Sequence, residues 1–563
     1  MGPGVKETHA DGAISGTAPA SMRTVVAAST LGTTFEWYDF FVFGALTPII
    51  AKNFFTALDS TSGLLAALGL FGAGFFFRPI GALIFGRVGD EIGRKGAFLI
   101  TVTMMGAATV AIGFLPTYAQ AGPAAPLLLI AMRIIQGTAL GGQYGGAAIF
   151  VAEHSPPARR GLMTGWIQTS AALGLLGALT VIVLARSSLG EARFADPGWL
   201  GGWRLPFLLS AVLLIASIWM RLKLTESPAF ARLKAEGAQT KAPFAEAFGR
   251  WRNLKLVLLA LLAVMSAQGA AWYATFFYVE QVFLERFLKL APATGAELLL
   301  AMTLASAPLY VFFGWLSDKV GRKWVMWAGM TLALLAFFPA FHALTPLANP
   351  ALAAAQARTP VVVIADPARC SLQFDVLGKR TFATSCDLAK TALTNAGVTY
   401  DNQAAPPGTL ARVEIGGRVV VSREGVGLPP PALKAAADDV KARIAAGLKA
   451  AGYPLTADPA GVNFWGLLAV LMIFVVAAAA LYGPQAAALV ELFPTRIRYT
   501  ALSLPYHVGT GWVGGFLPVS AFAIVTATGN IYAGLWYPVV FTGLSVVTLP
   551  FLLPQTHKRS IEG

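Results

Sequence analysis

Charge is what this chain of 563 residues has least of: Asp, Glu, Lys and Arg make up 12% of it, where soluble domains average about 25%. So few charges cannot clothe a chain of this length in water, which excludes a soluble enzyme. Cysteine is equally scarce. Two residues rule out a disulfide scaffold and any cysteine-rich metal site. No phosphate-binding glycine loop, metal-ligand cluster or nucleophile triad stands out, so neither a metal nor a cofactor is expected. What is plentiful is apolar: 56% of residues, with a mean hydropathy of +0.64. That composition also excludes disorder and points to the bilayer as solvent.

About 20 consecutive apolar residues span a bilayer as a helix, because only internally hydrogen-bonded backbone survives there. Such runs fall at 25–50, 62–85, 96–116, 125–152, 161–185 and 203–222, and again at 255–283, 295–316, 323–345, 462–490, 499–525 and 531–553. The expected fold is an all-α membrane protein of about twelve spans, with a small α+β insertion. The first 22 residues, without an apolar run, read as a flexible tail, and no signal peptide precedes the first span. The expected organisation is then a tail (1–22), a six-helix bundle (23–222), a linker (223–254), three helices (255–345), an inserted domain (346–460), three more helices (461–553) and a second tail (554–563).

Placing both termini in the cytoplasm puts 22 of the 42 Lys and Arg residues in cytoplasmic segments and only 6 in the short outer loops. A bias of that size orients the chain. It also accounts for most of the +14 net charge, so no nucleic-acid partner is expected. The stretch 346–460 then lies outside. It holds a strand-like run at Pro360–Ala365, a hairpin pattern turning at Gly416-Gly417 and a helical pattern from Pro431 to Ala451. Both cysteines, Cys370 and Cys386, fall here, on the side where a disulfide persists. Two unpaired thiols are the alternative.

Two motifs recur. GRVGDEIGRKGAF (86–98) matches GWLSDKVGRKWVM (314–326), aligning Gly86, Asp90, Arg94 and Lys95 with Gly314, Asp318, Arg322 and Lys323. VAEHSPPARRG (151–161) matches VELFPTRIRYT (490–500), aligning Glu153 and Arg160 with Glu491 and Arg498. Asp90 lies 63 residues before Glu153, and Asp318 lies 173 before Glu491. The excess nearly equals the inserted stretch, so the chain is one six-helix unit repeated.

With FEWYDFFVFG (35–44), FFFRPIGALIFGRVGDEIGRK (75–95), RIIQG and GGQYGGA (133–147) and ELFPTRIRYTALSLPYHVG (491–509), the chain resembles the major facilitator superfamily, and within it the metabolite:proton symporters. The resemblance implies alternating access and uptake, with protons, of an organic acid such as α-ketoglutarate, citrate or shikimate, or of proline or betaine. It implies a multi-pass protein of the cytoplasmic membrane, acting as a monomer with a small-molecule substrate, protons and lipid as its partners. In much of the family an acid stands where this chain has Gln143, which puts a coupling role for that position in doubt.

The residues themselves support site assignments. Asp90, Arg94, Lys95, Glu153 and Arg160, with Asp318, Arg322, Lys323, Glu491 and Arg498, are expected to form a cytoplasmic gate of charge-assisted bonds made in one state and broken in another. Gly86 permits close helix approach there. Simple topology is the plainer reading of the same basic residues. Ionisable groups inside spans are costly and mark function. Glu36 and Asp39 share a helix face and are expected to carry the transported proton, Glu36 ahead of Asp39, unless one makes a static ion pair with a base such as Arg133. Arg133, Gln136, Gln143 and Tyr144 form a polar stripe suited to a carboxylate, or, for the glutamines, to helix–helix hydrogen bonds. Arg78 is a second intramembrane cation, either in the cavity or reaching toward an interface. Gln268, Trp272, Tyr273 and Tyr278 are candidates to line the second half, and His507 is a candidate proton site. Two other functions fit the same architecture: drug/proton antiport, which GWIQTSAALGLLGALTVIV (165–183) disfavours by lacking a Gly-Pro pair, and ligand sensing by the inserted domain.

Overall fold

The computed structural model describes residues 21–55, 60–373, 381–557 and 561. Most of the two tails lies outside that set, as does part of the insertion. The first half comprises α1 (Met22–Ala45), α2 (Ser60–Glu91), α3 (Arg94–Phe114), α4 (Ala124–His154), α5 (Pro157–Leu189) and α6 (Gly202–Leu222). The second begins with α7 (Trp251–Phe287), α8 (Pro292–Val320) and α9 (Arg322–Ala348). After the insertion, with its helices α10 (Ser385–Asn395) and α11 (Pro430–Ala450), it ends with α12 (Phe464–Leu492), α13 (Thr495–Thr528) and α14 (Ala533–Leu552). Among the described residues, ten of these helices are long and apolar enough to cross a membrane. α1 and α2 occupy the two remaining expected positions. α1 stops five residues short of the expected end, and a separate short helix, Thr47–Phe54, follows it.

Without a hydrophobic drive between helices in lipid, close packing of small residues holds a bundle together. In α4, Gly137, Gly141 and Gly145 recur every fourth residue and so share one face. A Cβ on Gly137 would stand 2.5 Å from the Gly74 carbonyl oxygen of α2, and one on Gly141 2.3 Å from that of Arg78. Across the halves the same device appears twice. A Cβ on Gly86 would meet the Thr500 backbone at 2.8 Å, and one on its repeat partner Gly314 would meet the Gly161 carbonyl at 2.5 Å. Gly93 and Gly321, also repeat partners, turn the chain with φ of 133° and 106°, where a side chain would be strained. α7 and α13 each contain a π-helical stretch, a feature frequent at functional sites.

The insertion is a four-stranded sheet in the order β2-β1-β3-β4. β1 (Val361–Ala365) runs parallel to β2 (Asp401–Ala404) across α10 and antiparallel to β3 (Arg412–Ile415), which pairs with β4 (Arg418–Val421). The hairpin turns at Gly416 and Gly417, both with positive φ. β2, four exposed residues (DNQA), has no apolar alternation to mark it, whereas α10 carries cues in its Thr384 N-cap and in Gly397, which has φ of 70°. The domain is fastened to the second half. The Tyr400 amide donates to the Gly529 carbonyl (2.8 Å), its hydroxyl to that of Thr526 (2.6 Å), and Asn402 to that of Thr528 (2.8 Å). Lys289, after α7, donates to the Asn395 carbonyl. Burial, with Lys441 and Arg286 nearby, pushes its ammonium down to about 8. Among the described residues, every hydrogen bond anchoring the domain in this way ends on the second half.

Cys370 and Cys386 are bonded, their Cα atoms 5.2 Å apart and 16 residues apart in sequence. A closed loop of that size stabilises by about 3 kcal/mol in the chain-entropy view. Cys370→Ser is therefore expected to raise the protease sensitivity of the insertion while the helices stay intact. Equal digestion of variant and parent would show that the bridge holds nothing.

Candidate functional site

At one end of the bundle the duplicated motifs interlock reciprocally. Asp90 accepts the amides of Tyr499 (3.1 Å) and Thr500 (2.8 Å) at the start of the helical turns of α13, while Asp318 accepts those of Gly161 (2.9 Å) and Leu162 (2.8 Å) at the start of those of α5. Each aspartate thus caps a helix of the opposite half, where orphan N–H groups and the helix dipole favour a carboxylate. Each also pairs with the arginine four residues on, Arg94 at 2.7 Å and Arg322 at 2.6 Å. Glu153 takes Arg498 of the other half at 2.6 Å and has Arg94 at 3.9 Å; Glu491 takes Arg160 of the other half at 2.9 Å and Arg322 at 3.2 Å. All eight side chains are buried. Removing one partner of a buried pair costs about 3–5 kcal/mol, so the cluster holds only as a whole.

Lys95 and Lys323 depart from the expected role. Each turns away from the carboxylates to donate to a carbonyl at the C-terminal end of its own half's last helix, Leu222 (3.0 Å) and Pro550 (2.9 Å). A cation at a helix C-terminus is favourable there. The linker adds Ser227, whose hydroxyl donates to Glu153 (2.5 Å), and Glu226, which accepts the Lys95 amide (3.2 Å).

Midway along the bundle the halves meet over aromatic rings and amides. Tyr144 of α4 stacks on Tyr506 of α13 at 3.7 Å, and its hydroxyl accepts from Gln168 (2.9 Å) and Gln485 (3.4 Å). Trp272 donates to the Tyr310 hydroxyl (3.2 Å), and Tyr310 packs edge-on against Tyr482. Arg78 enters this region from α2. Its guanidinium lies over Phe75 (4.1 Å) and Phe40 (4.8 Å), is hydrogen-bonded to Tyr273 of the second half, and leaves Nε and Nη2 without a hydrogen-bond partner among the described residues. Gln268 is buried on α7, its Oε1 without a partner among the described residues.

The other expected residues point into their own halves. Arg133 lies over Phe43 (4.1 Å), shares the Phe40 ring with Arg78 (5.8 Å) and donates to Gln136 (2.8 Å), which donates to Thr109 of α3 (2.8 Å). Gln143 donates to the Thr101 carbonyl of α3 (3.3 Å). Both glutamines therefore join α4 to α3 and leave the interface to Tyr144. Tyr278 points at Gly534 within the second half. Glu36 forms a buried ion pair with Arg221 of α6 (2.5 Å), a partner the sequence did not suggest, and Arg221 lies over Phe98 (3.8 Å). Asp39, equally buried, accepts only the Ser210 hydroxyl (2.5 Å) among the described residues.

The fold has known counterparts. A proton:xylose symporter, XylE, solved with 6-bromo-6-deoxy-D-glucose bound, superposes with a TM-score of 0.59 over 96% of this chain and 98% of that one, at 15% identity. The sugar (and other) transporter family matches residues 24–252. The shikimate transporter of Escherichia coli (strain K12) is 34% identical over 329 residues, 57% of this chain and 72% of that one. The chain belongs to the major facilitator superfamily. Other major facilitator relatives include the E. coli (strain K12) inner membrane metabolite transport protein YhjE, 33% identical over 341 residues, 59% of this chain and 75% of that one. The E. coli (strain K12) proline/betaine transporter is 34% identical over 330 residues, 57% of this chain, but the match spans only 64% of its length. These relatives are named as transporters of metabolites.

Several residues of the site went unread in the sequence, and the major facilitator repeat holds the signal for them. The offset of 338 that carries Glu153 to Glu491 also carries Tyr144 to Tyr482 and Gln168 to Tyr506. The same offset carries Arg221 to Arg559 and Ser210 to Thr548.

Proposed function

We propose that the chain is a proton-coupled secondary transporter that takes up a small organic acid or zwitterion by alternating access. It would act as a monomer in the cytoplasmic membrane, with both termini inside and residues 346–460 outside. The observation that carries this reading is Arg78: a buried guanidinium at the seam between the halves, whose Nε and Nη2 have no partner among the described residues and which has aromatic faces around it. A planar fork of this kind matches a carboxylate, and the neighbouring tyrosines suit an apolar or cationic remainder. Relatives named for shikimate and for proline and betaine support the same class. The reciprocal charge cluster is then the inner gate, closed when its eight side chains are paired. Among the candidate proton carriers, geometry favours Asp39 over Glu36. Protonating Glu36 would strand Arg221, whereas protonating Asp39 breaks no ion pair among the described residues.

Uptake into proteoliposomes tests the proposal directly. An inward proton gradient is expected to drive accumulation of at least one of proline, glycine betaine, shikimate, α-ketoglutarate or citrate, and Arg78→Ala to abolish it. Arg78→Lys should rescue little, because lysine keeps the charge and loses the fork. Accumulation unaffected by the gradient, or retained in Arg78→Ala, would contradict the reading.

A further inference from the structure

A line of hydroxyls runs along the seam of α1 and α6, and its members lack the bonds such groups usually make. Ser29 and Thr33 of α1 and Ser217 of α6 are each at most 2% exposed, and their hydroxyls have no hydrogen-bond partner among the described residues. A serine or threonine inside a helix ordinarily donates back to a carbonyl one turn earlier, as Thr34 does to Thr30 (2.9 Å) and Thr109 to Met105 (2.9 Å). Leaving a buried polar group unpaired is costly. Close packing explains small residues at a helix seam, but it does not explain the guanidinium that shares this one. Arg221 is 1% exposed, its Nη2 donates to Glu36, and its Nε and Nη1 have no partner among the described residues.

The register of the two helices puts these groups in one file. Ser210 of α6 meets Asp39 of α1, while Arg221 meets Glu36 and its Nη2 lies 2.7 Å from where a Cβ on Gly32 would stand. Ser217 falls between Ser210 and Arg221. At 100° per residue these three lie within about 40° of one another, a single stripe facing α1. On α1, Ser29 lies about 20° from Glu36, and Thr33 about 60° in the same sense. From Asp39 to Ser29 the helix descends about 15 Å. Thr24, which is exposed, lies little more than one turn further on. That end is also the end of the charged cluster, since Lys95 donates to the carbonyl of Leu222, next to Arg221.

We infer that the α1–α6 seam is the exit path of the transported proton, carrying it from Asp39 past Ser210, Ser217 and Thr33 to Ser29 while the charged cluster stays closed to solute. The inference rests on the proposed proton carrier and gives its proton a route. A hydroxyl is both donor and acceptor. Each one takes a proton on its oxygen as it passes on its own, so one proton leaves Asp39 and one emerges at the charged end. Ser210 and Ser217 are separated by about 10 Å of helix. Water held by the unpartnered hydroxyls and by the remaining N–H groups of Arg221 spans such gaps. The Glu36 carboxylate offsets the arginine's charge, which alone would repel a proton.

Valine and threonine share a shape and differ in the hydroxyl, so they separate a relay from packing. Thr33→Val combined with Ser217→Val is expected to slow gradient-driven uptake into proteoliposomes about tenfold. Counterflow between equal pools should change less than twofold, since exchange returns substrate and proton together. Uptake by the double variant should also slow more in D2O than uptake by the parent does. Ser217→Thr keeps the hydroxyl in valine's shape and should hold most of the parent rate. Thr33→Val alone, which leaves the volume unchanged, guards against a double variant that fails to fold and should slow uptake about threefold. Equal uptake in Ser217→Thr and the valine variants, or counterflow falling in step with uptake, overturns the path. Accumulation lost in Asp39→Asn while both valine variants keep the parent rate overturns it and leaves Asp39 as the carrier. Accumulation retained in Asp39→Asn, or absent from the parent, overturns both.

Discussion

Asp39→Asn is expected to abolish uphill accumulation of substrate while exchange between equal pools continues. Asparagine mimics the protonated acid in size and still accepts from the Ser210 hydroxyl, so folding should be little disturbed. With no group left to release a proton, the cycle loses its coupling to the gradient, and the accumulation ratio should fall to about one. Glu36→Gln should behave differently. It leaves Arg221 charged, buried and without its carboxylate, a loss of about 3–5 kcal/mol. Its main effect should therefore be less folded protein in the membrane and a lower melting temperature, with coupling retained in what folds. Parallel measurements of gradient-driven uptake and counterflow separate the two. Full accumulation by Asp39→Asn, with the pH dependence of the parent, would remove Asp39 from the coupling step.

A comparable effect is expected at the charged end. Glu491→Gln leaves the buried Arg160 without a carboxylate and Arg322 with Asp318 alone, in the paired state but not in a state where both arginines reach water. That asymmetry disfavours the closed arrangement by about 3–5 kcal/mol, enough to reverse a two-state population. A cysteine introduced next to the cluster should become reactive toward an aqueous thiol reagent, and net transport should fall at least tenfold. Glu153→Gln should do the same in kind, since the repeat places Arg498 and Arg94 around it. Lys95→Ala and Lys323→Ala should change transport less than twofold, because their ammonium groups cap helix ends outside the cluster. Unaltered thiol reactivity in Glu491→Gln would reduce the cluster to static packing.

Much of this architecture is legible in the sequence, and the reason is local. Hydropathy reports spans because lipid forbids unpaired backbone, and the duplicated charged motifs report the repeat because each copy meets the same kind of partner in the other half. The seven-residue spacing of Gln136 and Gln143 places both toward α3, as two turns of a helix must. What the sequence does not reveal is which solitary charge faces which helix. Arg78 and Arg133 are both single arginines in apolar runs, and only packing shows that one reaches the seam while the other turns inward onto Phe43. Glu36 finds its partner 185 residues away in Arg221, a distance over which periodicity carries no information. The lysines of the loop motif look equivalent to the arginines beside them, yet one residue along a helix is a turn of about 100°, which is enough to take them out of the cluster.

The attachment of the inserted sheet has a mechanical consequence. Its β2 edge is bonded to the end of α13, and β4 lies three strand spacings beyond, roughly 14 Å. A rigid arm clamped at one end to one of two rocking bodies behaves as a pointer: small rotations of the second half are read as larger translations at β4. A fluorophore on that strand, paired with one on the first half, would follow the transport cycle from outside the bundle. The same leverage runs backward, so that a pull or a grip on β4 is delivered as torque to the second half alone.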